Sequence, residues 1–229
     1  MKKAILILCS IFFVLQIQSQ ITAKYSIGYG SYNMSDMEKY MEEAKSAILS
    51  IVPGLNIVTT DKFPAYIIHT VNIGYKMQKH EVGVVATYLN TAGKFSYSDY
   101  SGKISSEMRL SGYRGGLYYK YNFHVIEFNK NQRLSFYGEL SPSLIFTKIK
   151  FKEEISPEND LIKGENKDLN NTSLSILPQV GIQYDITSYI GIFYSGGYDI
   201  NLSSKVKELD NNKVDWSGFR ISGGISLSF

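Results

Sequence analysis

The stretch SLSILPQVGIQYDI, residues 173–186, puts Leu174, Ile176, Pro178, Val180, Ile182, Tyr184 and Ile186 on one parity, with Ser173, Ser175, Gln179, Gly181, Gln183 and Asp185 on the other. Leu177 alone departs from the rule. Successive side chains of a strand point to opposite faces, so this period of two predicts a β-strand with a different solvent on each side. A tight turn over Ile186 to Tyr189 leads into a second such strand, which extends to Leu202 with Ile190, Ile192, Tyr194, Tyr198 and Ile200 on one face. Working outward, the same alternation predicts strands over 216–229, 133–146, 114–123 with a weaker extension upstream to Lys103, 81–97, 66–77 and 24–32. The total is about eight strands, and the fold class is all-β, an antiparallel up-and-down barrel.

Composition agrees with that reading. The chain of 229 residues has 18 Tyr, 12 Phe and 19 Gly but 5 Pro, a balance suited to strands and tight turns. Mean hydropathy is slightly negative, which excludes a helical membrane bundle but fits a barrel whose alternating strands average out to polar. The parity opposite the apolar stripe is rich in Gly, Ser, Gln and charge, a set suited to a narrow lumen, whereas Tyr, Phe, Leu and Ile suit lipid. We therefore expect a transmembrane barrel rather than a soluble one. Arg114, Glu139 and Arg220 share the polar parity near mid-strand and are expected to form an interior ionic cluster. Tyr25, Tyr121, Phe123, Leu134, Tyr184, Tyr189, Leu227 and Phe229 gather near the short-turn ends, where an aromatic girdle belongs.

The connections orient the barrel. Gln78 to His80 and Thr187 to Ser188 are short and His124 to Gln132 is moderate, whereas 33–64, 98–102, 147–172 and 203–215 fall at the opposite rim and are mostly longer and polar. Short turns inside and long loops outside are the outer-membrane pattern. The segment 147–172, with lysines and acids in near balance, is expected to be a solvated, mobile loop. In the first outer loop Ser35 and Glu38 have capping-box spacing, and Met37, Tyr40, Met41, Ala44, Ala47, Ile48 and Ile51 recur at helical spacing until Pro53 and Gly54. Three placements stay open for this helix: over the barrel mouth, on the membrane surface, or against a partner.

Lys2 and Lys3 followed by the apolar run Ala4 to Leu15 predict a signal peptide over 1–19, with the barrel over 20–229. Cys9, the single cysteine, falls in that leader, so disulfides and thiol chemistry are not expected in the mature chain. Losing Lys2 and Lys3 lowers the formal charge from +3 to +1, which argues against nucleic acid as a partner.

A signal peptide, about eight alternating strands and a last strand ending Gly224-Ile225-Ser226-Leu227-Ser228-Phe229 together resemble the small outer-membrane barrel proteins of the OmpA and OmpX type. The resemblance implies residence in the bacterial outer membrane among lipid and lipopolysaccharide. It also implies that terminal Phe229 is the signal read by the outer-membrane assembly machinery. The helical first loop departs from the simplest members.

Reactive chemistry is sparse. His69, His80 and His124 are the 3 histidines, none spaced with a second ligand, so no metal site and no cofactor are expected. His80 and His124 fall in inner turns. His69 lies on the lipid-facing parity near the outer rim, and resembles the lipid-facing histidine of lipid A modifying barrels, although Thr70 follows it rather than Ser. Three functions remain open. The leading one is a non-enzymatic scaffold displaying loops for envelope integrity, adhesion or binding of an extracellular ligand; the others are a lipid A modifying enzyme using His69, and a small pore or apolar-solute conduit.

Overall fold

The structure, a computed structural model, describes residues 19–99, 102–129, 131–157, 162–163, 168–202, 205–206, 209 and 212–229. The expected signal peptide, Cys9 included, lies almost wholly outside them. In chain order the elements are β1 (Ser19–Gly30), α1 (Ser35–Ile51), β2 (Val58–Lys62), β3 (Tyr66–Met77), β4 (His80–Asp99), β5 (Gly102–Asn129), β6 (Gln132–Pro157), β7 (Ile162–Lys163), β8 (Asp168–Asp185), β9 (Ile190–Leu202), β10 (Lys205–Val206), β11 (Asn212–Lys213) and β12 (Gly218–Ser228).

Eight of these strands, β1, β3, β4, β5, β6, β8, β9 and β12, pair antiparallel with their chain neighbours, and β12 pairs with β1 to close the ring. Stepping across paired residues from Ser19 through Met77, His80, Tyr121, Gly138, Val180, Gly196 and Ile221 returns to β1 at Tyr29, ten residues beyond the start. Such a stagger tilts the strands by about 40° and closes a narrow barrel. β2 continues the wall beside β4 above the end of β3, β7 adds to β6, and β10 and β11 form a separate small hairpin.

The lipid-facing register agrees with the alternation. Phe219, Ile221, Ile225, Leu227 and Phe229 point outward, Phe219 and Phe229 at 69% exposure, while Arg220 points inward and is buried. Leu177, the exception in the opening stretch, is an interior residue.

Several expectations are corrected. The described parts of segment 147–172 are strand rather than loop: Thr147 to Pro157 continue β6, Ile162–Lys163 form β7, and Asp168 to Thr172 begin β8. Backbone pairing continues there because the inward residues acquire an apolar core to pack on. The inner connection near 124–132 is likewise strand as far as Asn129, which puts His124 in β5 beside a bulge rather than in a turn. The outer segment 203–215 carries the β10–β11 hairpin. Helix α1 has the expected bounds but no capping box: its N-cap is Met34 with no side-chain cap, and Asp36 instead accepts from the Lys213 amide at 3.1 Å. A carboxylate in the first turn still suits the helix dipole.

Candidate functional site

Inside the ring the inward side chains form three layers. The innermost is ionic. Glu81 on β4 receives Lys24 Nζ of β1 at 2.6 Å and lies 3.7 Å from Lys120 Nζ of β5, with all three side chains almost wholly buried. Thr22 and Tyr118 also donate to Glu81, at 2.9 and 2.6 Å. Lys120 reaches Gln183 at 2.5 Å and stands over the Tyr137 ring, and Gln183 passes the chain of contacts to Asp185, which pairs with Arg133 at 3.0 Å. Gly74 and Gly83 make room for the Tyr118 ring, since a Cβ at either position would collide with it. Buried charges demand this degree of satisfaction.

The middle layer holds Arg114, Glu139 and Arg220, all buried. They are not paired with one another among the described residues. Glu139 accepts from Gln179 at 2.7 Å and Ser141 at 3.3 Å, and Arg114 donates to the Ser141 carbonyl at 2.9 Å. Arg220 pairs instead with Asp199 of β9 at 3.4 Å, and Asp199 accepts from Ser175 at 2.5 Å. Asp199 and the Glu81 centre are the residues that sequence reading missed. Both sit on the polar parity, and that parity was the available signal. Between these side chains remains a cavity of about 40 Å3, room for a few waters.

The third layer is apolar and lies beyond the outer end of the lipid-facing belt. Leu89 and Phe95 of β4, Met108 and Leu110 of β5, and Ile145 and Ile149 of β6 point inward and are essentially fully buried. They pack with Met34, Met37 and Met41 of the α1 region, with Phe63 and with Trp216, which is 0% exposed. Of the three placements open to α1, the structure has the first, over the barrel mouth. Trp216 donates to Thr147 Oγ1 at 2.8 Å, meets Tyr32 edge to face at 5.0 Å, and lies over Gly112. Arg220 donates to the Trp216 carbonyl and stands over the Tyr32 ring, which ties this cap to the ionic layer below. Burial pushes the Tyr32 phenol up to about 12, so it stays neutral.

Polarity therefore inverts along the longest strands. On β6 the outward row changes from Leu140, Leu144 and Phe146 to Lys148, Lys150 and Lys152, while the inward row changes from Glu139, Ser141 and Ser143 to Ile145 and Ile149. Lipid outside requires an apolar wall; water outside requires the apolar side chains within. The outer edge of the membrane thus falls just above Phe146. Tyr88 and Tyr113 meet there at 5.4 Å, as do Tyr198 and Phe219 at 5.1 Å, forming an outer aromatic girdle. Exposed Phe123, Tyr121, Tyr189 and Phe229 mark the expected inner one.

His69 faces lipid and its Nδ1 lies 3.0 Å from the Tyr25 hydroxyl. Thr70 points into the lumen and bonds Thr87 at 3.1 Å, so the two cannot act as a base and nucleophile pair. His80 contacts the Tyr119 hydroxyl at 2.7 Å and His124 packs on Phe136. Among the described residues no cluster of His, Cys, Asp and Glu could hold a metal ion.

A closed ring, an apolar outer belt and two aromatic girdles define an integral membrane β-barrel. No family model and no curated sequence matches the chain. Among solved structures it is similar to Ail, the attachment invasion locus protein of Yersinia pestis, in complex with the heparin analogue sucrose octasulfate: 16% identity over 92% of this chain and 97% of that one, TM-score 0.38. It is similar also to the outer membrane protein OprG of Pseudomonas aeruginosa, at 12% identity, 93% and 96% coverage and TM-score 0.47. A third is the outer membrane protease OmpT of Escherichia coli, at 9% identity, 92% and 96% coverage and TM-score 0.33.

Proposed function

We propose that the protein is a non-enzymatic, sealed outer-membrane barrel whose capped outer half is a rigid platform for binding, adhesion or envelope integrity. The observation that carries this reading is the cap: Met37 and Met41 of α1 and Trp216 close the outer mouth over an apolar core. Beneath it, the cavity among Arg114, Glu139 and Arg220 is about 40 Å3, room for a few waters and less than an open channel needs. Surface presented by strands that extend beyond the membrane is held more firmly than a flexible loop, which lowers the entropy lost on binding a partner. Phe229, exposed immediately after β12, is the group we assign to recognition by the assembly machinery.

Reconstitution of the full chain into planar bilayers tests the reading. Electrically silent membranes are expected at protein densities where the heat-modifiable, folded band is present. Discrete conductance steps would overturn the sealed barrel in favour of a pore.

A further inference from the structure

Lys24 and Lys120 share Glu81, and Arg220 pairs with Asp199, so three of the four buried cations have a carboxylate against them. Arg114 has none among the described residues. It is 4% exposed, donates from Nη2 to the Ser141 carbonyl at 2.9 Å, and carries a buried Nε with no acceptor among the described residues. A guanidinium does not shed its proton, so the burial is not relieved by neutralising the group. Glu139, the carboxylate of the same layer, is held by Gln179 and Ser141 instead, at 2.7 and 3.3 Å.

The balance of charge points the same way. Asp185 is taken up by Arg133 towards the inner end, at 3.0 Å. What remains buried is Lys24, Arg114, Lys120 and Arg220 against Glu81, Glu139 and Asp199, which leaves one positive charge over. Lys76, half-buried on the inward parity of β3, adds to that excess. An uncompensated charge inside a narrow lumen is costly, and a bound counter-ion removes the cost without any change in the chain.

The place for such an ion is the cavity of about 40 Å3 that Arg114 lines together with Lys24, Arg220, Thr70 and Thr87. Thr87 is directly opposite Arg114 across the β4–β5 pair, and its hydroxyl meets that of Thr70 at 3.1 Å. One bond between two hydroxyls uses one of their two hydrogens, so an O–H remains to donate beside the guanidinium. A cavity of this size holds a few waters or one halide-sized ion, and a five-atom oxyanion such as phosphate or sulfate exceeds it.

We propose that the lumen binds a small monovalent anion of the halide class, held by the Arg114 guanidinium and a hydroxyl of the Thr70 and Thr87 pair. The proposal rests on the closed-barrel reading and gives that barrel a resident counter-ion, taken up as the strands close.

The full chain is refolded in detergent with sodium bromide as the only halide and crystallised, and anomalous differences are collected at the bromine edge. An interior peak in contact with Arg114 is expected. Bromide peaks on the protein surface with none in the lumen would overturn the proposal and leave water as the acceptor for Arg114. Stability gives a second reading on the same wild-type chain. The urea midpoint of the heat-modifiable band should be higher in chloride than in gluconate of equal ionic strength, because gluconate is too large for the cavity, and the gain should saturate as binding to one site does. Equal midpoints, or a gain that never saturates, count against the site. Arg114→Met, which keeps most of the side-chain length and drops the charge, should lose the interior peak and bring the two midpoints together; a chloride response that survives it would contradict the assignment. A sample without the heat-modifiable band marks a failure of the barrel reading instead, which keeps the two failures apart.

Discussion

Glu81→Ala is expected to destabilise the folded barrel by about 3–5 kcal/mol, read as a lowered urea midpoint for loss of the heat-modifiable band. Glu81 is the carboxylate between Lys24 and Lys120, both buried. Removing it leaves two ammonium groups facing each other in a lumen with little water, and it also takes the acceptor from Tyr118 and Thr22. Both costs exceed what the ion pairs themselves contribute, because the desolvation of the lysines is no longer offset. A compensated variant distinguishes this cause from simple loss of packing. With Lys24→Met and Lys120→Met added, much of the stability should return; no recovery would mean that the charge imbalance was not the source.

Trp216→Ala should cost about 3–5 kcal/mol in the outer half, the range for deleting a large buried aromatic. Trp216 fills the space between Tyr32, Thr147 and Gly112, and its carbonyl accepts from Arg220. The loss should be regional. Protease cleavage within 35–62 should become rapid while the membrane-embedded strands stay resistant, because their stability derives from lipid and the ionic layers rather than from the cap. Trp216→Phe, which retains most of the volume but loses the bond to Thr147, should show a smaller effect. Unchanged protease resistance in Trp216→Ala would remove Trp216 from the role given to it.

Much of this architecture was legible from alternation alone. The parity of Leu174 to Ile186 and of Phe219 to Phe229 placed lipid and lumen correctly, and the spacing of Met37, Met41, Ala44 and Ile48 gave α1 its bounds. The outer half was misread because an inversion of polarity looks like the end of a strand. Past Phe146 the apolar residues change parity, from 144 and 146 to 145 and 149, and a search for one continuous stripe stops there. The inversion is itself the signal of a strand leaving the membrane, as Tyr113 giving way to Leu110 and Met108 on β5 repeats. The interior partners were harder. Parity places Arg114, Glu139 and Arg220 in the lumen, but pairing depends on the register between neighbouring strands, which sets Asp199 of β9 diagonally across from Arg220 of β12. No pattern within one strand contains that register.

Helix α1 closes the outer mouth as part of the folded protein. Hydrogen exchange of the full chain in lipid nanodiscs tests this most directly. Amides of α1 from Tyr40 to Ile48 should exchange at least ~100-fold more slowly than an unstructured peptide, and should gain their protection together with the outer ends of β4 to β6. Exchange of α1 at the unstructured rate, with β4 to β6 still protected, would contradict it.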